Sequence, residues 1–74
     1  MMHRLKLRVD EAEGALQRIL LVVSRRGFRP HRVSARLEAG RFEVELEVES
    51  ARSAATLARQ LERLFDVETV EVLG

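Results

Sequence analysis

"FEVELEVE", Phe42 to Glu49, alternates without a break: Phe42, Val44, Leu46 and Val48 fall on one side, and Glu43, Glu45, Glu47 and Glu49 on the other. Strict period two predicts a strand with one buried face and one solvated face. A row of carboxylates needs neutralising neighbours, because like charges directly across strands destabilise a sheet and opposite charges contribute about 0.2–1 kcal/mol per pair. Two other segments can supply them. Arg4 to Val9 alternates Leu5, Leu7 and Val9 with Arg4, Lys6 and Arg8, and the run after Pro30 alternates Val33, Ala35 and Leu37 with Arg32, Ser34 and Arg36. Both read as strands with a basic open face.

The stretches between these strands change period. From Ala12 to Arg26 the residues Ala12, Leu16, Ile19, Leu20 and Val23 recur at helical spacing, and the acids of "DEAE" sit where the positive end of the helix dipole favours them. "SRRGFRP", Ser24 to Pro30, then reads as the stop of this first helix. Gly27 takes the left-handed position, Phe28 folds back on the last turn, and Arg25 and Arg26 meet the negative end of the dipole. "EAGR", Glu38 to Arg41, reads as a tight hairpin turn between the second and third strands. Beyond the third strand, Ser50 is a candidate cap for a second helix with an apolar face of Ala54, Leu57, Ala58, Leu61, Leu64 and Phe65. Asp66 breaks that helix. Val67 to Leu73 is the last strand, with Val70 and Val72 turned inward and Thr69 and Glu71 outward.

The order βαββαβ is that of the split βαβ, an α+β ferredoxin-like sandwich. Right-handed crossovers give an antiparallel sheet with strand order 4-1-3-2 and both helices on one face. The open face then carries alternating acidic and basic stripes, which support that strand order, and strand two falls on an edge, where Pro30 is tolerated.

Composition narrows the function. The 74 residues, read as one domain from 1 to 74, contain no cysteine, so neither disulfides nor thiolate metal ligands are expected. "MMHRLKLRVD" lacks the apolar core of a signal peptide and no run approaches a membrane span, so the expectation is a cytoplasmic protein with no membrane partner. Thirteen basic and twelve acidic side chains nearly cancel, and three phenylalanines are the only aromatic rings besides His3 and His31; no nucleic acid partner is expected. RNA-recognition modules of this topology put aromatic residues on the open faces of strands one and three, but here strand three presents only glutamates, which would repel phosphates. The two histidines are isolated, which gives no metal site and no catalytic arrangement. Arginine neighbours would keep the strand-three carboxylates ionised, which opposes a general-acid role. The chain reads as a non-enzyme that needs no cofactor.

Three runs in register carry a family resemblance: "EGAL", Glu13 to Leu16, opens the first helix; "RRGF", Arg25 to Phe28, closes it; and "RQLERLFDVETVEVL", Arg59 to Leu73, ends the chain. With these runs the sequence resembles an ACT domain, and within that family the small regulatory subunit of acetolactate synthase in its short, single-domain form. The resemblance implies allosteric control or activation of a large, thiamine-diphosphate-dependent catalytic subunit in branched-chain amino acid biosynthesis. It also implies an effector site between two copies, built from Glu11, Ala12, Glu13, Gly14 and Ala15 of one chain and Arg29, Pro30 and His31 of another. Amides near Gly14 at the start of the first helix suit a carboxylate, although a helix-start glycine accounts for Gly14 equally well. Effector-responsive members carry asparagine at the positions of Glu11 and Arg29, so two side-chain amides are replaced here by opposite charges. A stand-alone ACT-type sensor of amino acids, without a catalytic partner, is the other reading. A homodimer is expected in either case, through the edge of strand two or through the helices.

Overall fold

A computed structural model describes all residues, Met1–Gly74. Its elements are β1 (Met2–Asp10), α1 (Ala15–Arg25), β2 (Arg29–Glu38), β3 (Arg41–Glu49), α2 (Ala54–Glu62) and β4 (Val67–Val72). The sheet order is β2-β3-β1-β4, the expected order read from the other edge, and every pairing is antiparallel. No helix is long and apolar enough to cross a membrane.

The charge stripes meet in register. Arg4, Lys6 and Arg8 of β1 stand opposite Glu47, Glu45 and Glu43 of β3, and Arg32 and Arg36 of β2 stand opposite Glu47 and Glu43 from the other side. On the covered face, Leu5, Leu7 and Val9 join Val44, Leu46 and Val48 beneath Ala15, Ile19 and Val23 of α1 and Leu57 and Leu61 of α2. Alternation in β1 and β3 and a three-to-four spacing in the helices therefore build one core.

The stop of α1 has the expected form. Gly27 sits at φ +85°, its N–H donates to the Ser24 carbonyl, and the Phe28 N–H donates to the Val23 carbonyl at 3.0 Å. These two bonds and the buried Phe28 ring make a Schellman motif. Hairpin residues Ala39 and Gly40 both have positive φ, the requirement of a two-residue type I′ turn.

Four details differ from the sequence expectation. Helix α1 begins at Ala15, not Ala12: Gly14 at φ +74° and a bond from the Ala15 N–H to the Ala12 carbonyl form a turn, so no acid lies in the first helical turn. Ser53, not Ser50, caps α2 by accepting from the Ala55 N–H, while the Ser50 hydroxyl accepts from the Arg52 N–H one turn earlier. Phe65 is 84 % exposed, because α2 ends at Glu62 and the tighter bonds from Arg63 to Gln60 and Leu64 to Leu61 break the helical phase before it. Finally, no residue of β2 is buried: Val33 and Leu37 lie on the helix side of the sheet yet remain 44 % and 51 % exposed. The other edge shows the same effect more weakly, with Val70 half-buried and Val72 exposed.

Candidate functional site

The first candidate segment, Glu11 to Ala15, joins β1 to α1. The Glu11 N–H donates to the Gly40 carbonyl at 3.0 Å, which ties the loop to the β2–β3 hairpin. A side chain on Gly14 would be strained at φ +74° and would meet the Arg18 guanidinium at 3.1 Å, so glycine fits here without shifting Arg18. Arg18 bonds through Nε and Nη2 to the carboxylate of the buried Asp66 and lies 5.3 Å from the centroid of the exposed Phe65 ring. The N–H groups of Leu16 and Gln17 have no acceptor within the chain. One end of the molecule thus presents free amides, a guanidinium and an aromatic ring around the loop.

Arg18 and Asp66 were not legible as site residues from the sequence. Asp66 reads only as a helix breaker, and the one available signal was the placement of Arg18 four residues after Gly14, just before the apolar run Ile19 to Val23.

The second segment, Arg29 to His31, starts β2 at the opposite end of the sheet. Arg29 stands opposite Glu49, Pro30 opposite Val48, and the register shifts across His31 before Arg32 meets Glu47. His31 Nε2 lies 2.8 Å from Glu49 Oε1. That hydrogen bond first, and the imidazolium charge second, hold the Glu49 carboxyl below its usual value of 4.5; Arg29 is a minor cause. Sequence reasoning assigned the role of neutralising partner to arginines alone, and at this position the histidine leads.

From Arg29 to Glu38 the strand covers nine steps, about 30 Å at strand rise. The two candidate segments of one chain therefore do not meet, and neither lines a cavity. All three cavities of the molecule, about 210, 270 and 110 Å³, lie on the open charged face of the sheet.

The ACT domain profile matches residues 11–70, which takes in both helices and the whole of β2 and β3. The chain belongs to the ACT domain family. Domains of this family are regulatory, not catalytic. The ACT domain of GTP pyrophosphokinase from Chlorobium tepidum superposes with a TM-score of 0.86 at 20 % identity, covering 99 % of this ACT domain and 97 % of that chain. The small subunit of acetolactate synthase from Thermotoga maritima gives the same TM-score at 17 % identity; all of this chain is covered, and it spans 48 % of that subunit. A formyltetrahydrofolate deformylase from Pseudomonas putida KT2440 follows at 0.80 and 12 % identity, with 29 % of that chain covered. At these identities the likeness is one of fold. A comparison with curated proteins finds no match.

Proposed function

We propose that this ACT domain is a non-catalytic regulatory subunit that binds and activates the catalytic subunit of acetolactate synthase. The observation that carries the reading is the coincidence of the runs "EGAL", "RRGF" and "RQLERLFDVETVEVL" with the junctions of a fold shared over its whole length with an acetolactate synthase small subunit. The equally close likeness to the ACT domain of GTP pyrophosphokinase favours a second reading, an ACT sensor that serves no acetolactate synthase.

On the first reading the functional unit is a homodimer paired through β2. That strand is a ten-residue edge whose apolar side is uncovered. Antiparallel pairing with a second copy would carry the partner's Arg29 to His31 alongside the hairpin at Ala39 to Arg41, and so toward the loop Glu11 to Ala15 that is bonded to it. The separation of the two segments within one chain is then what a shared site requires. The amides of Leu16 and Gln17 would receive an effector carboxylate. With Glu11 and Arg29 in place of two asparagines, valine is expected to bind weakly or not at all, and micromolar affinity in a calorimetric titration would overturn that expectation.

The deciding experiment is copurification of the tagged chain with a candidate large subunit, followed by an assay of acetolactate formation with and without it. Binding together with a rate increase supports the reading. A large subunit that neither copurifies nor responds removes it in favour of the stand-alone sensor.

A further inference from the structure

Three successive rows cross the open face from β1 through β3 to β2. The outer two read Arg4, Glu47, Arg32 and Arg8, Glu43, Arg36, each with a cation on both sides of the carboxylate. The middle row reads Lys6, Glu45, Ser34. A short hydroxyl side chain stands where the pattern calls for a cation, and the two larger cavities, about 210 and 270 Å³, both open over Ser34 and Glu45.

The charges around this gap are unspent. Glu43 has Arg8 at 3.1 Å and Glu47 has Arg32 at 3.8 Å, whereas Glu45, Arg4 and Lys6 have no opposite charge within 4.0 Å, and the Ser34 hydroxyl makes no hydrogen bond within the chain. The cavity of about 210 Å³ is lined by two arginines, Arg4 and Arg32, and two glutamates, Glu45 and Glu47, together with Ser34 and Leu73. Its charges sum to zero, so a bare cation or a bare anion would each leave an excess, and a molecule carrying both would not.

We infer that the gap at Ser34 is a binding site for a small zwitterion, whose ammonium takes the missing cation's place beside Glu45 and the Ser34 hydroxyl while its carboxylate meets Arg4. The site lies on the sheet face opposite the helices. It uses none of Glu11 to Ala15 or Arg29 to His31, and it stands whether or not the chain serves acetolactate synthase. Arg4 and Glu45 are diagonal neighbours across β1 and β3, about 7–8 Å apart at the backbone, and the long side chains of both can close onto the shorter charge separation of γ-aminobutyrate.

The test is a ¹⁵N NMR titration of the full chain with γ-aminobutyrate, and separately with butylamine and with butyrate at matched ionic strength. Saturable shifts at the amides of Arg4, Ser34, Glu45 and Leu73 are expected with the zwitterion, and at least about tenfold weaker responses with either single-charge analogue. Ser34→Lys supplies the missing cation from the chain itself. It should abolish the response and raise the melting temperature by roughly 1–8 °C, as a new cross-strand pair would in a domain of this size. Ser34→Leu, which fills the gap without charge, should abolish the response without that gain. The inference is overturned if butylamine or butyrate matches the zwitterion, if Ser34→Lys or Ser34→Leu titrates like the parent, or if the shifts centre on Glu11 to Gln17.

Discussion

At the scale of single residues, what was legible depended on whether the signal was local. Gly27 and Phe28 were readable because a Schellman stop is specified by two adjacent residues and the helix before them. The cap of α2 was not, because Ser50 and Ser53 both suit the position and only the packed phase of Leu57 and Leu61 selects Ser53. Arg18 and Asp66 were hidden for a stronger reason: they are 48 positions apart, and their pairing exists only after β4 has docked. Removing the guanidinium leaves a buried carboxylate without its donor. Arg18→Met is therefore expected to destabilise the domain by about 1–3 kcal/mol, discounted for the partial exposure of Arg18, and urea unfolding with an unchanged slope would measure it. A loss under 0.5 kcal/mol, the scale of an ordinary surface substitution, would mean that Asp66 finds water instead. Glu49 gives the pH counterpart. Its carboxyl is depressed in the folded state, so the stabilisation is fully present above the unfolded value of 4.5 and is lost as pH falls through the lower folded value. His31→Ala should return the Glu49 carboxyl toward 4.5 in a ¹³C NMR titration, and an unchanged titration would assign the depression to Arg29 and the N-terminus instead.

At the scale of elements, β1 and β3 were legible almost to the residue because they are central, and a central strand with one covered face must alternate. Strand β2 alternates as cleanly, yet its apolar side is uncovered. Period two reports which face a residue occupies, not whether two short helices reach far enough to cover it. For the homodimer proposed above, that uncovered side and the charges beside it together favour one register of pairing. An axis through Ala35 puts Val33 against the partner's Leu37 and Arg32 against the partner's Glu38, twice over. An axis through Ser34 would instead set Arg32 against the partner's Arg36, and like charges directly opposite destabilise. The Ala35 register pairs residues 32 to 38 and leaves Pro30, which has no N–H to donate, outside the ladder. Ala35→Cys is thus expected to form a disulfide-linked dimer under mild oxidation, since opposed residues bring their Cβ atoms to about 4.5–5.5 Å, near bridging distance. Ser34→Cys should not. Cross-linking through Ser34→Cys, or sedimentation as a monomer at high micromolar concentration, would rule out this register and leave pairing through the helices.

At the scale of the whole molecule, the striped face has more charge organised on it than its own pairs use. Only Arg8 with Glu43 and Arg32 with Glu47 close into ion pairs across the β1–β3–β2 rows between Arg4 and Arg36, and exposed pairs of this kind contribute little each. The stripes therefore act first as a device for strand order, since an order that made β1 and β2 neighbours would set like charges side by side. A second use, docking of the catalytic partner proposed above, is separable from the first. Glu45→Lys with Glu47→Lys turns the centre of the acidic stripe basic, opposite Lys6, Arg4 and Arg32, so some loss of stability is expected under either use and must be measured by circular dichroism and thermal melting before anything else. Ser34→Lys is the matched control, because it also adds a positive charge to this face but completes the pattern. If the face docks the partner through its acidic stripe, the double variant, folded at the assay temperature, should lose activation of acetolactate synthase while Ser34→Lys keeps it. If the folded double variant activates as well as the parent, the stripes serve only the sheet, and the partner must be received by another surface, of which the end bearing Phe65, Arg18 and the loop Glu11 to Ala15 is the one with exposed aromatic area to offer.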